Sequence, residues 1–169
     1  MINPAIAALF GARASGHMLC IIRGWTQWFG EGVILSISAS GAVMIEKCKT
    51  LLVAERGCEL VQGLDAWLRE QGHRLKTADN IKDVLMTLQN EKINVLVMDV
   101  RLPEAMGYEA ISIIKGLHRK LPIIITADEN NPEQESRIRQ KGIFYYHVNS
   151  FGMDELILAI SNAMMRSSQ

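Results

Sequence analysis

The chain has 169 residues, 49% of them hydrophobic, enough for one domain with a full core plus an appendage. Eighteen basic and eighteen acidic residues cancel to a formal net charge of zero, so there is no electrostatic footprint of the kind that marks a nucleic-acid binder or a protein held on an anionic membrane. Three cysteines, Cys20, Cys48 and Cys58, form no CxxC pair and no metal-ligand spacing, and the odd count argues against a disulfide framework and for a reducing, cytoplasmic compartment.

Composition changes near Met44. Residues 1–43 carry only Arg13, Arg23 and Glu31 as formal charges, whereas residues 44–169 hold the other sixteen basic and seventeen acidic side chains. The uncharged run Gly32 to Ile45 is fourteen residues long, too short for a membrane-spanning helix of about twenty. No order of basic, apolar and cleavage regions marks a signal peptide. Residues 1–43 are therefore expected to be a loosely ordered extension, an added element docked on the domain, or a leader translated only on paper. The last of these is favoured, with Met44 as the natural start of a domain covering 44–169.

From Lys49 onward apolar runs alternate with amphipathic stretches. Thr50 to Ala54 reads as a strand, and Cys58 to Gln71, with Leu60, Val61, Leu64, Trp67 and Leu68 at helical spacing, reads as a helix. His73 to Thr77 predicts a second strand, and Asp79 or Asn80 caps a helix striped by Ile81, Val84, Leu85 and Leu88. Ile93 to Met98, apolar apart from Asn94 and rich in β-branched residues, predicts a strand buried on both faces, stopping at Asp99. Pro103 and Gly107 punctuate the next loop, and Ala110, Ile111, Ile114 and Leu117 stripe the next helix. Then come a strand from Pro122 to Thr126, a polar helix from Glu129 to Lys141, a strand from Ile143 to Val148 and an amphipathic helix from Met153 to Met164. Five strands interleaved with five helices predict an α/β fold with a parallel sheet covered on both faces.

In such a sheet all strands end at one edge, where ligands bind. The ends here are Ala54-Glu55, Asp99, Thr126-Ala127 and Asn149-Ser150. With Val95-Leu-Val-Met-Asp99-Val-Arg-Leu-Pro103, Pro122-Ile-Ile-Ile-Thr126-Ala127 and the segment from Gly142 through Tyr146 to Phe151, the chain over roughly Lys49 to Met165 resembles the receiver domain of bacterial two-component response regulators.

That resemblance implies a flavodoxin-like, doubly wound five-stranded sheet of order 2-1-3-4-5, and transfer of a phosphoryl group from a sensor histidine kinase or phosphotransfer protein to an aspartate. Asp99 matches the phosphoacceptor and Thr126 the hydroxyl that hydrogen-bonds the phosphoryl group. Glu55, Asp99 and the backbone carbonyl of Arg101 match a reduced Mg2+ site. Tyr146 matches the aromatic that reports activation on the face of the fourth helix, fifth strand and fifth helix. A downstream protein partner or a homodimer is expected there, with Arg137, Lys141, His147 and Asp154 on the same face. Nucleic acid and membrane are not expected partners. The chain ends five residues after Met164, so signalling is expected through docking.

Two departures bear on the chemistry. The family usually carries two adjacent acids after the first strand, and here Ala54 stands in the first place. It also carries a lysine followed by proline after the fifth strand, and here the pair is Asn149-Ser150. Asparagine donates a hydrogen bond without a charge, so weak Mg2+ binding and a poorly stabilised phosphorylated state are expected. Each residue also has a plainer reading: Asp99 as a turn former, Glu55 as a helix cap, Thr126 as a local backbone partner, Tyr146 as an ordinary aromatic. The four histidines lack ligand spacing.

Enzyme classes built on a strand-ending aspartate fare badly. A haloacid-dehalogenase-type phosphatase needs an aspartate, and a cobalamin-binding domain a histidine, where Arg101 stands. A flavodoxin needs a Ser/Thr-rich phosphate loop where Glu55-Arg-Gly-Cys runs. What stays open is a working phosphoacceptor against a receiver-shaped interaction module that needs no phosphate.

Overall fold

The run Val95 to Asp99 is a strand with all five residues buried, because a run that is apolar on both faces needs cover on both sides. The structure, a computed structural model, describes residues 19–20, 33–37, 43–57, 59–102 and 109–167. Pro103, Gly107 and Cys58, singled out in the sequence, lie outside the described residues. The chain divides into two compact units, Met1–Lys47 and Cys48–Gln169, so the division falls just beyond the change in composition at Met44.

In the first unit, β1 (Leu19–Cys20), β2 (Val33–Ile37) and β3 (Val43–Lys47) form an antiparallel sheet in that order, with Val33 opposite Lys47 and Ile37 opposite Val43.

In the second unit, β4 (Thr50–Ala54), β5 (Arg74–Ala78), β6 (Val95–Asp99), β7 (Ile123–Ala127) and β8 (Tyr145–Val148) form a parallel sheet of order β5-β4-β6-β7-β8. Counted from Thr50 this is the expected 2-1-3-4-5. The helices are α1 (Glu59–Glu70), α2 (Ile81–Asn90), α3 (Glu109–Leu117), α4 (Pro132–Arg139) and α5 (Met153–Arg166).

Side chains alternate across the sheet with the period of two that a pleated strand imposes. Leu52, Leu96, Met98, Ile123 and Ile125 enter one core with Val84, Ile111 and Ile138 of the helices, whereas Leu51, Val53, Val95, Val97 and Ile124 enter the other with Leu64 of α1 and Leu156 of α5. Asn94, the polar residue in the central run, precedes β6 and accepts the backbone N–H of Thr50 through Oδ1 at 2.9 Å, so it pins two neighbouring strands at their starts. α4 is shorter than the predicted Glu129 to Lys141. Asn131 accepts the N–H of Gln134 at 3.1 Å and Pro132 follows it, a combination that fixes a helix start. Among the described residues no helix is long and apolar enough to cross a membrane.

Candidate functional site

Pairing in register brings the strand ends together: Asp99 of β6 lies opposite Thr126 of β7, and Thr126 lies opposite His147 of β8. Glu55, Asp99, Arg101, Asp128, His147 and Asn149 line one open pocket at this edge. Asp99 is 6% exposed and Thr126 fully buried. The Thr126 Oγ1 and the Asn149 Oδ1 are buried without a hydrogen-bond partner. Buried polar atoms are nearly always paired, so the unpartnered Asn149 Oδ1 and His147 Nδ1 on the pocket lining, with the Thr126 Oγ1 across the strand pair from Asp99, mark a place where an incoming polar group is expected.

Glu55 is also buried, and its Oε1 accepts the N–H of Val61 in the first turn of α1 at 3.2 Å. The carboxylate therefore does what the plainer sequence reading assigns to it, satisfying a donor that the helix start leaves open. Its place in the pocket beside Asp99 is a second property of the same side chain.

Arg101 dominates the site in a way that the sequence reading, which gave it only a backbone carbonyl, did not anticipate. Its backbone N–H donates to Asp99 Oδ1 at 2.7 Å, its Nε to the same oxygen at 3.1 Å and its Nη2 to Oδ2 at 2.8 Å. Its Nη1 lies 2.5 Å from Asp128 Oδ2. Asp128 Oδ1 in turn accepts from Asn149 Nδ2 at 2.8 Å. A chain of alternating donors and acceptors thus joins the ends of β6, β7 and β8. Asn149 enters a 3-10 turn, Asn149–Phe151, closed by Gly152 at φ 93°, a conformation that favours glycine. The Asn149-Ser150 peptide is trans.

On the expected partner face, Arg137 is exposed and paired with Glu133, Lys141 is half-buried and Asp154 exposed. Tyr146 is buried, its hydroxyl donating to Gln134 Oε1 at 3.4 Å. Tyr146 and His147 correct the sequence expectation: at 3% and 1% exposed, neither side chain is itself presented on a docking face. The strand turns His147 toward the core instead, where burial pushes its pKa below 6.5 against the opposing pull of Glu155 at 3.9 Å. Glu155 also accepts the Tyr145 hydroxyl, and that bond raises the Tyr145 pKa. Because the unfolded chain takes up a proton at His147 near pH 6.5 and the folded chain only at lower pH, this group's contribution is complete above pH 6.5 and declines as pH falls below it. The loss approaches at most about 1.4 kcal/mol per pH unit. Thermal unfolding followed from pH 7.5 downward should show the decline, and His147→Val should flatten it; an equal slope in the variant would assign the acid sensitivity to other groups.

A family model described as the response regulator receiver domain matches residues 51–161. Curated relatives include the DNA-binding transcriptional regulator NtrC of Proteus hauseri, 29% identical over 101 residues, or 60% of this chain and 21% of that protein. Response regulator SaeR of Staphylococcus aureus is 23% identical over 116 residues, 69% of this chain and 50% of SaeR. This chain thus spans between about a fifth and a half of the length of these two relatives. Among solved structures, a CheY-like receiver domain protein from Methanospirillum hungatei superposes with a TM-score of 0.65 at 17% identity, covering 72% of this chain and 98% of that one. The beryllofluoride-activated NtrC4 receiver domain dimer gives 0.63 at 21% identity, covering 70% and 98%. At these identities the structures show the shared fold.

Proposed function

We propose that this chain, which belongs to the response regulator receiver family, takes a phosphoryl group on Asp99 and passes the signal on through protein contacts. Receiver domains are signalling modules of two-component systems, in general not enzymes, and interact with histidine kinases or phosphotransfer proteins. The observation that carries the acceptor role is the buried, unpartnered Thr126 hydroxyl directly across the strand pair from Asp99. A phosphoryl group on Asp99 gives that hydroxyl an acceptor oxygen, and Asn149 lines the same pocket. In the step itself an Asp99 oxygen forms the new P–O bond while the donor's bond to phosphorus breaks and the leaving group keeps the electron pair.

Receiver domains in general bind Mg2+ at this site. The residues here fit that ion poorly. Ala54 supplies no ligand, one Glu55 oxygen is committed to Val61, and both Asp99 oxygens are held by the guanidinium. Among the described residues no group of three or more His, Cys, Asp or Glu could hold a metal. The same ion pair favours a second reading, an interaction module that works without phosphate, since a carboxylate hydrogen-bonded on both oxygens is a poor nucleophile. Incubation with acetyl phosphate, followed by intact-mass measurement of a base-labile adduct, separates the two.

The face formed by α4, β8 and α5 is the proposed contact surface, with Arg137 and Lys141 presented on it and Tyr146 packed beneath. Arg137→Ala combined with Lys141→Ala should weaken self-association, or binding to a phosphotransfer partner, about tenfold. Sedimentation and titration curves identical to those of the parent would place the contact on another surface.

A further inference from the structure

The Arg101 guanidinium occupies Asp99 where a divalent cation would have to bind, and we infer that it is the pocket's own resident cation, which neutralises the acceptor carboxylate without metal and holds metal off until it swings away. This deepens the reading of the Asp99 pocket as the family's site and rests on it.

Three features argue for a latch rather than an incidental surface contact. The first is local geometry. The Arg101 N–H already donates to Asp99 Oδ1 at 2.7 Å, and this tight turn leads the side chain back over the carboxylate two residues earlier. Second, the contact is forked. Nε and Nη2 meet the two oxygens at 3.1 and 2.8 Å, an arrangement that lysine or an ordinary turn residue cannot reproduce. Third, Nη1 is anchored on Asp128, and Asp128 is anchored by Asn149, so the guanidinium is aimed by groups at two other strand ends.

Burial is unequal, and that makes the latch reversible. The Asp99 side chain is 9% exposed and needs a counter-charge, whereas the Arg101 side chain is 65% exposed and can return to water at little cost. A divalent ion would need an Asp99 lone pair at about 2.0–2.2 Å, a place it cannot share with a guanidinium carrying the same sign of charge. Metal therefore binds only the fraction of molecules whose latch is open, and the apparent affinity falls by that fraction. Asn149 stands where the resemblance places a lysine, and the charge of Arg101 offsets that loss from the turn after β6.

The test is Mn2+ binding to the full chain, read from the electron paramagnetic resonance signal of free Mn2+ with no phosphodonor present. Arg101→Ala and Arg101→Gln should each bind Mn2+ about tenfold more tightly than the parent, the low end expected for a latch whose cation is largely in water. Adding Asp99→Asn to either variant should abolish the gain. Equal affinity in parent and variants, or a gain that survives Asp99→Asn, overturns the inference. Because no phosphoryl group is involved, a failure of Asp99 to accept phosphate is seen separately and leaves this result standing. Thermal unfolding verifies that each variant is folded, including those altered at the buried Asp99.

Discussion

Asp99→Asn is expected to abolish the phosphoryl adduct completely, in the parent chain and in every pocket variant. The amide keeps the shape of the side chain and one acceptor oxygen, so the fork from Arg101 is weakened, but Arg101 retains its Asp128 partner. What disappears is the anionic oxygen that forms the P–O bond, and no weakening of donor or acceptor geometry produces so complete a loss. The pocket contains two other carboxylates, Glu55 and Asp128. Residual base-labile label in the asparagine variant would move the acceptor to one of them and sink the assignment. The readout is intact mass before and after hydroxylamine, which cleaves acyl phosphates, with thermal unfolding to show that a 6% exposed position tolerates the change.

The sheet was legible because its strands obey two simple rules. A run such as Leu51-Leu-Val-Ala, apolar at successive positions, serves two faces at once, and only a parallel sheet between two helical layers buries both. Once the strands are placed, their carboxyl ends are placed too, so Thr126 falls opposite Asp99 and Asn149 shares a pocket with Asp99 whatever their distance in sequence. Helix limits were less legible where the pattern was polar. α4 has one fully buried side chain, Ile138, so periodicity could not say where it began, and the Asn131 cap decided it.

Two features escaped for different reasons. His147 follows two tyrosines in a strand whose last three residues are all buried, so no alternation marked which of them faces solvent. Arg101 was read by its backbone because a long side chain is placed by its partners, and one of those partners, Asp128, comes within reach only when β7 pairs beside β6. The available signal was the Asp99-x-Arg101 spacing together with Asn149 at the place the resemblance gives to a lysine, which leaves Arg101 as an unassigned cation nearby.

Ala54→Asp combined with Asn149→Lys should raise the labelled fraction about tenfold or more above the parent under the same phosphodonor and Mg2+, the equivalent of one charge-assisted hydrogen bond gained in the product. Asn149 lines the pocket, and Ala54 directly precedes the lining residue Glu55. Asn149 Nδ2 lies 2.8 Å from Asp128 Oδ1, so an ammonium there competes with Arg101 for Asp128 and loosens the anchor of the guanidinium. Ala54 is fully buried in the core beside Met98 and Ala78, so the new carboxylate starts desolvated and gains only as the strand end turns it toward a cation in the pocket. The same burial should lower thermal stability when metal is absent, and added Mg2+ should restore part of it. If the double variant labels no better than the parent, the Arg101 fork is the remaining block, and adding Arg101→Ala should then release labelling. If that triple variant is also silent, with Mn2+ bound and the fold intact, the pocket does not accept a phosphoryl group and the phosphate-independent interaction module is the correct reading.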